Sequence, residues 1–188
     1  MGWTYTTRRH GESIREFFER IFNYQKEDGT SGTIIESSVV RFKTAYFAYK
    51  ICTPGNPDKV IALVCLLDYR PHDFPYDFGY KDMDEDMGPC EDKCPEKILK
   101  LLTPTDSEYA KAWRKRCWDN INARKAAPTV KKNQWVKFVR PLRFQCGTVR
   151  DVLQYIGRNR FRDSFGFLYR LQWNWRTTNQ FWIVENPS

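Results

Sequence analysis

The chain has 188 residues, 41% hydrophobic and 29% charged, and 31 Lys+Arg against 23 Asp+Glu give a formal charge of +8. Its 13 Phe, 10 Tyr and 7 Trp supply more apolar area than a disordered chain carries, so a sizeable core is expected. No run approaches the ~18 apolar residues of a spanning helix, and Arg and Glu recur through the first 25 residues without an apolar stretch; the sequence therefore predicts a soluble, cytoplasmic protein without a secretory signal.

In chain order, Ile14, Phe17, Phe18, Ile21 and Phe22 fall at helical spacing after Ser13 and predict an amphipathic helix. Two β-rich runs follow, Ile34 to Ile51 and Lys59 to Tyr69, joined by Thr53-Pro-Gly-Asn-Pro-Asp58 as the turn of an antiparallel hairpin. Val60 to Leu67 contains no polar residue and reads as a central strand covered on both faces. Residues 70–92, with Pro71, Pro75, Gly79, Gly88 and Pro89, read as a long loop, and such loops are usually functional or disordered.

A short helix is predicted from Pro95, with Ile98, Leu99, Leu101 and Leu102 as its apolar face. The capping-box spacing of Thr105-Asp-Ser-Glu108 starts a second, which carries Ala110, Trp113, Cys117 and Ile121 inward. After the connector Ala126-Ala-Pro-Thr129 come a strand near Trp135 to Phe144 and a short helix over 148–156, with Val149, Val152, Leu153 and Ile156 inward and Gly157 as its stop. An alternating strand from Phe167 to Arg176, with Arg170 and Arg176 on its outward face, precedes a last strand from Phe181 to Val184. The predicted class is α+β, a mainly antiparallel sheet with helices packed on it. It forms a single domain over 1–188, divisible into an N-terminal α+β part, 1–125, and a basic, β-rich C-terminal part, 126–188.

The net charge conceals a division. Residues 68–96 hold ten acidic and three basic residues, whereas residues 97–188 hold 19 basic and six acidic ones. Such segregation bears on partners more than on fold. The basic positions that can reach a phosphate backbone are Arg124, Lys125, Lys131, Lys132, Arg158, Arg160, Arg162, Arg170 and Arg176, with Phe161 and Trp118 as stacking surfaces beside them. They favour DNA or RNA as a partner, and no helix-turn-helix, zinc-finger, RRM or KH signature accompanies them, so sequence-specific base reading is not expected.

Asp82, Asp84, Glu85 and Asp86 form the densest acidic constellation. A calcium-hand loop is rejected, because Met87 stands at the glycine position and Lys93 at the position of the bidentate glutamate. The carboxylates read either as a solvated acidic loop, as an anionic surface for a basic partner, or as the ligands of a metal-dependent nuclease. Cys90-x-x-x-Cys94 is half a zinc site without a second pair, His10 and His72 lie beside no plausible nucleophile, and no phosphate-cradling glycine motif is present. The Met1-Gly-Trp-Thr-Tyr-Thr6 start fits the loose myristoylation pattern, which is short enough to occur by chance. No metal, cofactor or catalytic residue is assigned.

The stretch Gly79-Tyr-Lys-Asp-Met-Asp-Glu-Asp-Met-Gly-Pro89, Cys94-Pro-Glu-Lys-Ile-Leu-Lys-Leu-Leu-Thr-Pro-Thr105 and Trp113-Arg-Lys-Arg-Cys117 resembles a family of small uncharacterised proteins carried by bacterial phages, plasmids and other mobile elements. Met1-Gly-Trp-Thr4 and Phe17-Phe18 extend the resemblance, which covers roughly residues 1–120 and brings no assigned activity. Accessory proteins of such elements often blunt host defence, and some are similar to anti-CRISPR proteins. The resemblance thus implies a non-enzymatic inhibitor in a bacterial host cell, binding a type II CRISPR RNA-guided nuclease or another host nucleic-acid-handling complex. The alternatives are a free-standing, sequence-nonspecific DNA- or RNA-binding protein and a metal-dependent nuclease built on the 82–86 carboxylates.

Overall fold

The uninterrupted apolar run of Lys59–Tyr69 constrains the fold most, because it must be covered on both sides. A computed structural model describes residues 2–69, 76, 78–172 and 174–185 and shows what covers it. The chain divides into two compact units, Met1–Ile121 and Asn122–Ser188. Each carries one antiparallel sheet, and the fold is α+β with helices against sheet.

In the first unit the strands β1 (Thr4–Thr6), β2 (Tyr24–Gln25), β3 (Ser31–Val40), β4 (Thr44–Cys52), β5 (Lys59–Tyr69) and β6 (Phe78–Asp84) form a sheet in the order β1-β6-β5-β4-β3-β2. Because strand side chains alternate, β4 and β5 serve two cores at once. Ala45, Phe47, Tyr49, Ile61, Cys65 and Leu67 cluster with Phe17 and Phe18 of helix α1 (Ile14–Phe22). Tyr46, Ala48, Val60, Ala62 and Val64 cluster with Ile98 and Leu99 of α2 (Glu96–Leu99) and Trp113, Cys117 and Ile121 of α3 (Glu108–Ala126). Helix α1 begins with a reciprocal capping box between Ser13 and Glu16.

Several sequence expectations need correcting. The run from Ile34 to Ile51 is two strands, broken where Arg41 and Phe42 both adopt φ 55° and turn the chain back. Helix α3 is capped by the Ser107 hydroxyl, which accepts from the Ala110 amide, and Thr105 acts one step earlier by accepting from the Ser107 amide. Pro95 is the N-cap of α2 and not its first helical residue. Most importantly, the loop expected over 70–92 contains β6, paired with β5 from Tyr69↔Phe78 to Leu63↔Asp84, followed by a 3-10 turn, Glu85–Met87. Residues 70–75 and 77 lie outside the described residues.

The second unit is a five-stranded sheet in the order β10-β9-β8-β7-β11, made of β7 (Trp135–Arg143), β8 (Val149–Gly157), β9 (Arg160–Arg162), β10 (Leu168–Arg170) and β11 (Phe181–Val184). Its core is Val130, Val136, Phe138, Leu153, Phe161 and Trp175. The helix expected over 148–156 is strand β8. Its apolar residues suit either periodicity, and pairing with β7 on one side and β9 on the other decides for strand. The strand expected from Phe167 to Arg176 is only Leu168–Arg170, and Trp175–Thr178 form a helical turn, α4, that buries Trp175.

Candidate nucleic-acid interface

Cross-strand partners share a face of the sheet, so the register of the second unit sorts its side chains. Val136↔Leu153 and Phe161 lie in the core, with Tyr155 and Tyr169 half-buried on either side of Phe161 and Ile183, opposite Val136 on the edge strand, exposed. The alternate rows form the other face. They are Arg160↔Arg170, then Val184↔Trp135↔Gln154↔Arg162↔Leu168, then Trp182↔Lys137↔Val152. Among the described residues, Arg160, Arg162, Arg170, Lys137, Leu168 and Trp182 of these rows are exposed and none belongs to the core cluster.

The face therefore carries four cations interleaved with Trp135, Trp182 and Leu168, and no residue of these rows is acidic. Arg160, Arg162, Arg170 and Lys137 make no side-chain hydrogen bond or ion pair among the described residues, whereas Arg150 on the core side is bound to the buried Asp163 at 2.9 Å. Five strands spaced by about 4.8 Å make the face roughly 19 Å wide. Arg158 stands at one end, in the two-residue turn between β8 and β9, where it and Asn159 have φ 51° and 60°. Paired positive φ is the signature of the hairpin turn whose twist matches that of the strands.

The other expected basic residues are placed elsewhere. Arg176 does not share a strand face with Arg170; its guanidinium lies 4.9 Å from the Trp175 ring centroid and 5.3 Å from that of Tyr155, beside the core. Lys131 and Lys132 are exposed in the turn before β7, and Arg124 and Lys125 are exposed in the last turn of α3. Phe161, expected as a stacking surface, is fully buried in the core, and Trp118 is half-buried against the core of the first unit. Lys137, Trp135 and Trp182 were not among the expected site residues. The signal for them was present, because Trp135 and Lys137 alternate with the apolar Val136 and Phe138, and the same period-two reading places Trp182 opposite Ile183.

The acidic residues are drawn into the first unit. Glu85 is 1% exposed and accepts two hydrogen bonds of 2.6 Å from Arg114, which also donates to the Thr103 carbonyl. Asp84 caps the 3-10 turn by accepting from the Met87 amide at 3.1 Å. Asp82 is half-buried opposite Cys65, and Asp86 is half-buried beyond it. Further bonds tie the segment to α3, from Trp113 Nε1 to the Glu91 carbonyl and from Arg116 to the Pro89 carbonyl. Thus the run expected as a free acidic loop is strand and turn, with its central carboxylate in an internal ion pair. Cys90 and Cys94 do not converge: Cys90 is exposed, and Cys94 is buried in the core, where burial pushes its thiol well above the ordinary range. Among the described residues, no three His, Cys, Asp or Glu side chains gather as a metal site.

Among the described residues no helix is long and apolar enough to cross a membrane. Residues 104–174 match a family described as a domain of unknown function, DUF6927. The matched segment includes α3 and strands β7 to β10, so most of the basic face falls inside it, and it overlaps the mobile-element resemblance only at its start. No curated protein and no solved structure matches the chain.

Proposed function

We propose that the protein binds nucleic acid through the open face of its C-terminal sheet, by contacts to the phosphate backbone and without reading base sequence. The observation that carries this is the set Arg160, Arg162, Arg170 and Lys137 on one sheet face, unpaired among the described residues and with no acid in the same rows. Arginine presents a planar fork suited to two phosphate oxygens, and three of the four cations are arginine. Trp135 and Trp182 on the same face give sugars and bases an apolar surface, which lets affinity exceed what surface charge alone supplies.

Fluorescence anisotropy of labelled oligonucleotides over a salt series tests the reading. Four neutralised phosphates give a slope of log affinity against log salt of about −3 to −4, and replacing Arg160, Arg162 and Arg170 by alanine reduces the slope by about two to three. Binding that is absent at low salt, or that ignores the three substitutions, would sink the proposal. Inhibition of a guide-loaded nuclease is one setting in which such a surface would act. DNA cleavage with and without the protein checks it, and unchanged cleavage across several effectors removes that setting while leaving the binding reading intact.

A further inference from the structure

The turn between β9 and β10 is built around a buried carboxylate. The Asp163 side chain is 1% exposed and accepts from Arg150 Nε at 2.9 Å, from the Tyr169 hydroxyl at 3.0 Å, and from the amides of Phe165 and Phe167 at 3.0 and 2.9 Å. The Asp163 amide donates to the Phe167 carbonyl, and Gly166, at φ 90°, donates back to the Asp163 carbonyl. Burial alone would raise the Asp163 carboxyl, but its four donors outweigh that and hold it below the usual carboxylate range. A loop fixed this firmly nevertheless leaves Phe165 78%, Phe167 64% and Leu168 66% exposed. Two exposed phenylalanines on a rigid turn, with exposed Leu168 at the start of β10 beside them, are an unusual apolar surface, and the rigidity removes the ordering cost that a partner would otherwise face.

The surroundings decide what the partner is. The Arg150 guanidinium lies 5.8 Å from the Phe165 ring centroid, and Leu168 is the cross-strand neighbour of Arg162 on the cationic face. One arginine at an exposed aromatic ring, and the unpaired Arg162 beside exposed Leu168, match a ligand that alternates anionic and flat apolar groups. Resting on the nucleic-acid reading above, we infer that Phe165 and Phe167 are a preformed stacking element for unpaired bases, so that the protein prefers single-stranded to duplex nucleic acid. In a duplex the base faces are already stacked on one another, and only an unpaired strand offers them while its phosphates lie on Arg160, Arg162 and Arg170.

The test compares labelled single-stranded and duplex oligonucleotides of equal length at one salt concentration, with wild type, the Phe165→Ala/Phe167→Ala variant, the Phe165→Trp/Phe167→Trp variant and the triple arginine variant described above. The wild type binds the single strand about tenfold or more tightly than the duplex. Loss of a base–aromatic stack costs about fivefold or more, so the double alanine variant loses at least that on the single strand. It keeps its duplex affinity and its salt slope, and the tryptophan variant retains the preference. An equal affinity for both forms, unmoved by the alanine substitutions, overturns the inference while leaving phosphate binding in place. Failure to bind either form overturns both. Capture of the wild type by phosphatidylserine vesicles, lost in the alanine variant while oligonucleotide binding is unchanged, assigns the turn to an anionic membrane surface and also overturns it. Because both phenylalanines are exposed, unchanged thermal melting confirms that the variants stay folded.

Discussion

Residues 1–121 carry 18 Lys+Arg and 20 Asp+Glu, whereas residues 122–188 carry 13 and 3, and the two units engage these charges differently as well as in different numbers. In the first, acids and bases bond each other across elements: Glu12 with Arg20, Glu36 with Lys97, and Glu85 with Arg114. In the second, the buried Asp163 holds Arg150, and among the described residues the arginines of the open face meet no acid. A near-neutral unit uses charge as an internal tie. A basic unit that leaves cations together on one face accepts their mutual repulsion, which a polyanion would remove.

The difference between the two units is most sensitive to Arg114. Its guanidinium satisfies both oxygens of a carboxylate that is 1% exposed, so Arg114→Ala leaves a buried charge unpaired. Removing one partner of a buried pair costs about 3–5 kcal/mol. Hydrogen exchange of the whole protein is expected to show accelerated exchange in β4 and β5, with nucleic-acid affinity unchanged. A variant that melts like wild type would mean that the pair is a surface contact and that the units do not differ in this way.

The second effect runs through the other unit. A ligand that binds only the folded state adds about 2.7 kcal/mol of stability at a hundred times its dissociation constant. Added single-stranded oligonucleotide should therefore slow amide exchange within 122–188, above all in β8, β9 and β10, and leave β4 and β5 as they were. Protection spread evenly over both units would show that the charge division does not localise binding.

Acid offers a graded third test. The folded Asp163 carboxyl is held below its ordinary value, so its contribution to stability is complete above the unfolded pKa of about 3.9 and is lost as pH falls through the lower folded value. The turn carrying Phe165 and Phe167 is expected to loosen under acid before β7 and β8 do, read as exchange or as loss of single-strand preference. Asp163→Asn should remove the pH dependence, because the amide does not titrate in this range.

How much of this was legible from sequence differs with what each signal depended on. Val60 to Leu67 announced a central strand and the α3 face of Ala110, Trp113, Cys117 and Ile121 was read correctly, because each pattern is long and its period is unambiguous. Strand β6 was hidden by Lys81, Asp82 and Asp84. The structure explains why charges are tolerated there: among the described residues β1 pairs with Phe78–Tyr80 alone, so residues 81–84 lie along an edge, where charge blocks further pairing. Strand β8 was misread because Val149, Val152, Leu153 and Ile156 fit a helix as well as a strand, and the partners that decide lie in β7 and β9. On the open sheet face, charge alone singles out Arg160, Arg162 and Arg170, which the strand register sets on one side. Assigning Arg176 to the same face failed because Trp175 enters the core on a helical turn and reverses the alternation.

The smallest effect separates charge from geometry at Arg158, which occupies the left-handed region at φ 51° in the β8–β9 turn. A residue with a Cβ is strained there by about 1–2 kcal/mol, and glycine relieves that strain while adding freedom to the unfolded chain. Arg158→Gly is therefore expected to change stability by less than about 1 kcal/mol, with the relief and the entropy opposing each other. Arg158→Lys keeps the strain and the charge. If Arg158 touches a phosphate, the glycine variant lowers the salt slope by about one while the lysine variant preserves it. If both variants bind and titrate like wild type, the cationic face ends at Arg160 and Arg170, and Arg158 serves the turn alone.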